Sequence, residues 1–339
     1  MKILVTGASG FIGGYLVPEL LAAGHDVVGI DDFSKYGPVH KAHDDHPRYR
    51  LVRGDCKDVA LMRALAADCD HLVASAAMIG GIAYFHARAY DLLAENERIL
   101  ASTFSAALDA FRAGRLQKIT VLSSSMVYEC ADEFPTLEGA ERRSPPPRST
   151  YGFQKLACEY WAHGAHDQYG LPYTLARPFN CVGIGERRAR WEGAAPPGNL
   201  RQAMSHVVPD LIEKAVRGQD PLHLLGRGDQ VRHYTYGGDL ARGLRLCVEH
   251  PAALNEDFNL STAQGHTVLE VAEAIWRRIR PGEPFRYVSD PPLPHDVLRR
   301  VPSVAKARER LGFEASTSLD AVLDEVVPWV ADQVRRGTL

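Results

Sequence analysis

The run Lys2-Ile3-Leu4-Val5-Thr6-Gly7-Ala8-Ser9-Gly10-Phe11-Ile12-Gly13 decides the fold. Residues 2–6 form a short, mainly apolar run with β-branched members, which reads as a short buried strand. The glycines read as a tight turn that opens a helix. Without side chains there, the backbone can approach a pyrophosphate at the helix N-terminus, where unpaired N–H groups and the helix dipole favour anions. An amphipathic helix is expected from Tyr15 to Ala23, ended by Gly24, and a second strand from Asp26 to Ile30, finishing at Asp31. An acidic side chain at that point can accept hydrogen bonds from an adenosine ribose and repels a 2′-phosphate, so the expected cofactor is NAD. Gly7, Gly10, Phe11, Ile12, Gly13 and Asp31 are its first expected contacts.

The alternation continues. Tyr49 to Val52 reads as a strand ending at Gly54-Asp55, Asp58 to Ala67 as a helix, and His71 to Ala74 as the next strand. Asp55, beside Cys56, either meets the adenine or caps the helix that follows. Ser75 to Gly81 lies at a strand's carboxyl end, where open parallel sheets bind ligands, and its small residues let a cofactor pass close to the backbone, so Ala76 and Ala77 are further cofactor candidates. A long helix is expected from about Phe85 to Arg112 and a buried strand from Lys118 to Leu122. This pattern predicts an α/β protein, a Rossmann-type doubly wound parallel sheet.

Chemistry concentrates further on. The strand at 118–122 runs into Ser123-Ser124-Ser125-Met126-Val127-Tyr128, and a proline-rich loop leads to Tyr151-Gly152-Phe153-Gln154-Lys155. Residues four apart on a helix share a face. A lysine beside a phenol favours the phenolate and lowers its pKa from about 10. Such a phenolate can take a proton from an alcohol while a hydride leaves the same carbon. A serine at the strand end can hold the reacting oxygen.

The chain has 339 residues and a net charge of -3, enough to bury a large core and too balanced to attract nucleic acid or an anionic membrane. No apolar run is long enough to span a bilayer. With a strand-like opening no signal peptide is expected, and the six cysteines lack paired spacing, so a cytoplasmic protein with reduced thiols and no metal site is expected. His40, His43 and His46 read as a solvated cluster. Residues 1–181 are expected to hold the cofactor. Residues 182–339 should form mainly a smaller α/β substrate lobe, with some segments returning to the first domain.

Taken together, the glycine loop, Asp31, the Ser124 segment and Tyr151-x-x-x-Lys155 resemble the extended short-chain dehydrogenase/reductases, in particular the NAD-dependent nucleotide-sugar epimerases and dehydratases. Arg177-Pro178-Phe179-Asn180, His206 to Ile212, Gly228 to Tyr236 and Asp296 to Gly312 resemble further segments of that family. The resemblance implies that Tyr151 is the acid/base, that Lys155 lowers its pKa and holds the nicotinamide ribose, and that Ser124 positions the sugar hydroxyl. Asn96 then lies near the cofactor, and Asn180 and Arg232 hold a diphosphate. It also implies a homodimer built on the long helix and the Tyr151 helix.

Departures narrow the reaction. Related dehydratases carry an acidic pair after the serine, 3,5-epimerising relatives a cysteine two residues before the tyrosine of that segment, and decarboxylases a glutamate. Here Ser125 and Met126 stand there as substrate-binding residues without acid/base capacity. The expected reaction is therefore epimerisation of a nucleotide sugar, at C4 through a transient ketone. The alternatives are 4-ketoreduction or dehydrogenation with NAD(P), or epimerisation at C3 or C5 assisted by His206, which occupies a position where several epimerases have asparagine and is expected either to bind substrate or to assist that proton transfer. Leu293 replaces a frequent phosphate-gripping arginine, shifting that role to Arg232 and to Arg299 or Arg300. The basic insertion 186–199 is expected to cover the substrate, with arginines suited to phosphates or a uronic acid.

Overall fold

The computed structural model describes residues 1–81, 84, 87–187, 206–292 and 297–338. Leu293, Asp296 and most of the 186–199 insertion lie outside the described residues. The first half contains β1 (Lys2–Thr6), α1 (Phe11–Ala22), β2 (Asp26–Asp31), β3 (Tyr49–Arg53), α2 (Val59–Ala66), β4 (His71–Ala74), α3 (Ala89–Arg112), β5 (Lys118–Leu122), α4 (Thr150–Tyr169) and β6 (Tyr173–Pro178). The second half contains α5 (Val207–Val216), β7 (Leu222–Leu225), β8 (Val231–Arg232), α6 (Gly237–Glu249), β9 (Glu256–Leu260), β10 (His266–Thr267), α7 (Val268–Ile279), β11 (Tyr287–Asp290), α8 (Ala305–Leu311) and α9 (Leu319–Arg335).

Seven strands form a parallel sheet in the order β3-β2-β1-β4-β5-β6-β9. Strands of this kind are buried on both faces, and β1 and β5 are accordingly almost wholly buried, with Ile3, Leu4, Val5, Ile119, Val121 and Leu122 supplying the apolar side chains. Alternate side chains feed two cores. Leu4, Ile119 and Leu175 pack with Met62, Phe104 and Cys158 of α2, α3 and α4. Ile3, Val5 and Ala176 pack on the opposite face with Leu16, Leu20, Leu240 and Leu244 of α1 and α6. The strand order reverses between β1 and β4, and the crevice beyond their carboxyl ends is where such sheets take ligands.

A third core joins α5, α7, α9 and β7 through Leu211, Ile212, Leu222, Ile275, Trp276, Val322, Leu323 and Val326. Two small sheets, β10-β8 antiparallel and β11-β7 parallel, belong to this half of the chain. β9, α6 and α8 instead join the core beneath the large sheet.

Several boundaries differ from the sequence reading. α1 begins at Phe11, four residues before the expected start, because the glycine turn runs straight into the first helical turn. Regular helix in α3 begins at Ala89; Phe85 lies outside the described residues. β6 and β9 were not anticipated, since their polar members Arg177, Asp257 and Asn259 disguise them. Loop 129–149 is less exposed than its prolines suggest: Thr136, Ala140, Glu141 and Ser149 are buried. His43 is not solvated with His40; its ring lies edge-on to Tyr49 at 5.3 Å.

Candidate active site

The glycine loop is shaped by contacts that exclude side chains. Gly7 has φ +71°, and a Cβ there would lie 2.9 Å from the Cα of Ala76. A Cβ on Gly13 would lie 2.5 Å from the carbonyl oxygens of both Gly7 and Ala8. Thr6 ties the two strand ends together, its Oγ1 accepting from the N–H groups of Ser75 and Ala76 at 2.9 Å each. No acidic side chain occupies the first turn of α1, so its N-terminus keeps its attraction for anions.

Asp31 ends β2 with Oδ2 accepting from Ser9 N–H at 2.9 Å and Oδ1 from Phe33 N–H at 2.8 Å. Burial pushes its carboxyl above the usual range, against those two N–H groups. Each oxygen retains a second lone pair for a ribose hydroxyl. Lys41 was overlooked in the sequence: its Nζ donates to the Gly10 carbonyl at 2.8 Å, fixing the β2–β3 loop beside α1. Burial brings this lysine down to about 8. Asp55 lines the cavity and accepts from Lys57 N–H, while the cap of α2 is Asp58, which accepts from Leu61 N–H at 3.1 Å.

A cavity of about 670 Å³ runs from this loop into the second half of the chain. It is lined by Gly7, Gly10 to Gly13, Asp31, Asp55, Cys56, Ala76, Ala77, Ser124, Ser125, Met126, Tyr151, Lys155, Asn180, His206 and Arg232. Most residues singled out by the sequence thus converge on one space. Two do not. Asn96 is buried on α3 with its amide bridging Met78 N–H at 2.7 Å and Met78 O at 3.1 Å, so it supports the β4 loop from behind. Arg299 is exposed, its guanidinium over the Phe134 ring at 4.9 Å; neighbouring Arg300 faces the cavity instead, because adjacent extended residues point to opposite sides.

The reacting end is built where β5 meets α4. Ser124 is extended (φ -161°, ψ 154°) and its Oγ accepts from Met126 N–H at 3.2 Å. Ser149 caps α4, its Oγ accepting from Gly152 N–H at 3.0 Å and donating to Glu129 at 2.6 Å. The ring of Tyr151 packs with Leu92, Met126 and Ile79. Lys155 Nζ donates to Leu122 O at 3.0 Å, which holds the ammonium at the strand end. Asn180 has φ +34°, a conformation asparagine tolerates, and its buried Nδ2 has no hydrogen-bond partner among the described residues.

Behind this end lies a buried ionic group that the sequence reading missed. The guanidinium of Arg177 is fully buried and grips Glu159 bidentately at 2.7 and 2.7 Å, with Asp257 at 2.6 Å, Tyr128 Oη at 2.7 Å and Glu141 at 3.2 Å. Glu159 also accepts from Ser123 Oγ at 2.5 Å. It stands one turn after Lys155 on α4, and Ser123 precedes Ser124. The network therefore fixes the helix carrying Tyr151 against the strand carrying Ser124. Its one visible signal was an arginine beside proline after an apolar run.

These features define a dinucleotide-dependent enzyme, and the family follows from comparison. Residues 3–261 match the model of the NAD dependent epimerase/dehydratase family. The chain belongs to that family, within the extended short-chain dehydrogenase/reductases, and NAD is its cofactor. It is 28% identical to a UDP-glucose 4-epimerase of Lacticaseibacillus casei over 97% of this chain and 96% of that protein. It is 27% identical to a dTDP-4-dehydro-6-deoxy-D-allose reductase of a Streptomyces species, over 96% of this chain and 95% of that one. A UDP-glucose 4-epimerase of Thermotoga maritima, solved with UDP-glucose, matches with a TM-score of 0.81 at 25% identity, covering 98% of this chain and 100% of that chain. The protein is thus an NAD-dependent nucleotide-sugar epimerase or a related enzyme. Among the described residues, no helix is long and apolar enough to cross a membrane.

Proposed function

We propose that the protein epimerises a nucleoside-diphosphate sugar at C4 through a transient 4-keto sugar. The observation that carries this reading is the convergence of Ser124, Tyr151 and Lys155 on one cavity while the two positions after Ser124 are Ser125 and Met126, which cannot move protons at neutral pH. When bound, NAD supplies a reversible acceptor for the C4 hydride. The chain's own residues do the rest. Gly7, Gly10 and Gly13 with Asp31 hold the dinucleotide, and Lys155 holds the ribose beside the reacting ring. Ser124 orients the C4 hydroxyl toward Tyr151, whose phenolic oxygen takes its proton and later returns it. Asn180, Arg232 and Arg300 hold the diphosphate. The half after residue 181 closes over the sugar and leaves it room to present its other face.

The runner-up is one-way 4-ketoreduction, supported by the similarity to the Streptomyces reductase. Purified protein given UDP-, GDP-, CDP- and dTDP-sugars, with products read by proton NMR, separates the two. Epimerisation without added cofactor is expected. An absolute need for one NAD(P)H per turnover gives the reaction to the reductase reading, and a Tyr151→Phe enzyme with near-normal rates ends both.

A homodimer belongs to the same proposal. Phe153, Tyr160 and Tyr169 on α4 expose 49%, 66% and 39% of their surface, and with Phe104 and Leu108 of α3 they line one apolar groove. Four of the six thiols are buried and all six are free, which supports a reducing cytoplasmic location.

A further inference from the structure

Glu186 lies eight residues after the end of β6, and His206 immediately precedes α5. The Glu186 side chain is 3% exposed, and its Oε1 pairs with Nδ1 of His206. Its other oxygen, Oε2, is buried without a hydrogen-bond partner among the described residues. Lys35 lies within electrostatic range of this carboxylate, of Tyr36 and of Tyr151. His206 lines the cavity that holds Ser124, Tyr151 and Asn180, with half of its side chain exposed. A carboxylate on Nδ1 holds the proton on that nitrogen and leaves Nε2 as the basic atom. Ser124 and Tyr151 are both committed to the C4 oxygen in the mechanism above, so this pair is a second set of proton-moving groups in the same space.

We propose that Glu186 and His206 form an acid–base pair that exchanges the proton on a carbon flanking C4 while C4 is a ketone. This gives the protein an activity at C3 or C5 beyond inversion at C4, and it rests on the reading that the site handles 4-keto sugars. The ketone acidifies the neighbouring C–H. His206 Nε2 takes that proton, the C–H electron pair becomes the enolate, and negative charge develops on the C4 oxygen beside Ser124 and Tyr151. Glu186 stabilises the imidazolium. Return of the proton to the same face restores the sugar; inversion follows when the enolate turns its other face to the His206 imidazolium before the proton returns. No further oxidant or reductant takes part.

The test supplies the ketone ready-made, so it does not depend on the oxidation step. UDP- and dTDP-4-keto-6-deoxyglucose are incubated with the holoenzyme in D2O, and deuterium at C3 and C5 is read by NMR. Wild type should exchange at least about a hundredfold faster than His206→Asn, and Glu186→Gln should lose about ten- to a hundredfold, with ketosugar binding by calorimetry within about threefold of wild type. In 15N NMR, His206 should show the Nδ1-protonated tautomer, lost in Glu186→Gln. Exchange absent from wild type, exchange unchanged in His206→Asn, or an Nε2-protonated ring overturns the pair. Epimerisation at C4 with no deuterium anywhere also overturns it and leaves the C4 reading standing. Loss of exchange in His206→Asn alongside no C4 epimerisation of any tested sugar removes the C4 reading and keeps the pair.

Discussion

Replacing Arg177 with leucine would strip the positive charge from beneath the reacting end without touching the cavity. The guanidinium is fully buried and satisfies Glu159 twice, Asp257, Tyr128 and, at longer range, Glu141. Lys306 still answers Asp257 at 2.5 Å, but among the described residues no other cation pairs with Glu159. Hydrogen bonds to charged groups contribute about 1.5–3 kcal/mol each, and those of one network do not add. Removing one member of a buried pair costs about 3–5 kcal/mol, so Arg177→Leu should lose about 4 kcal/mol at pH 7. Urea unfolding followed by far-UV circular dichroism measures it. The loss should carry a pH signature. Burial already pushes Glu141 above the usual carboxylate range, with Arg177 the main influence holding it down. Without Arg177 that group rises further, so the folded variant binds more protons than its unfolded chain. Stability of the variant then falls as pH rises from about 4.5, the ordinary glutamate value, toward neutrality. The deficit against wild type should therefore shrink on moving from pH 7 to pH 5. A cost below about 1 kcal/mol, or a deficit flat across that range, would refute the account of the network.

Gly13→Ala places a Cβ 2.5 Å from two carbonyl oxygens of the glycine turn, and NAD affinity by calorimetry should fall at least about tenfold, or ~1.4 kcal/mol; wild-type affinity would show that the turn has slack. His71 is buried with its Nε2 2.9 Å from Thr120 Oγ1, and burial followed by the Lys118 charge puts its pKa well below 6.5. The unfolded chain thus binds the extra proton, and stability should drop as pH falls below about 6.5, by at most ~1.4 kcal/mol per unit for this group. His71→Gln should flatten the slope relative to wild type, and an unchanged slope counts against the assignment. Tyr160→Glu puts a charge in the apolar groove of α3 and α4 and should give a monomer by light scattering; a variant with the mass of wild type would locate any dimer contact elsewhere.

Much of the fold was legible because local chemistry dictated it. The apolar run of β1, the glycine turn and the acidic end of β2 are short-range signals, and each reports a constraint met within a few residues. The same holds for Tyr151 and Lys155, one helical turn apart, and for the absence of acidic residues after Ser124. β6 and β9 escaped because their charged and polar members, Arg177, Asp257 and Asn259, are satisfied by one another and by Glu159 and Thr136. A buried charge looks like a surface charge until its partner is known.

The sequence alone determined that a dinucleotide turn, a serine and a Tyr–Lys pair exist in a parallel α/β chain, since periodicity and turn chemistry are properties of neighbours along the backbone. Only the tertiary structure decided which long-range contacts those groups make. It moved Asn96 behind the β4 loop, exchanged Arg299 for Arg300 at the cavity wall, brought Lys41 to the Gly10 carbonyl, and set Glu186 against His206 across twenty residues of chain. Pairings of that kind depend on where helices settle on the sheets, and the packing of the three cores fixes that, not any one segment.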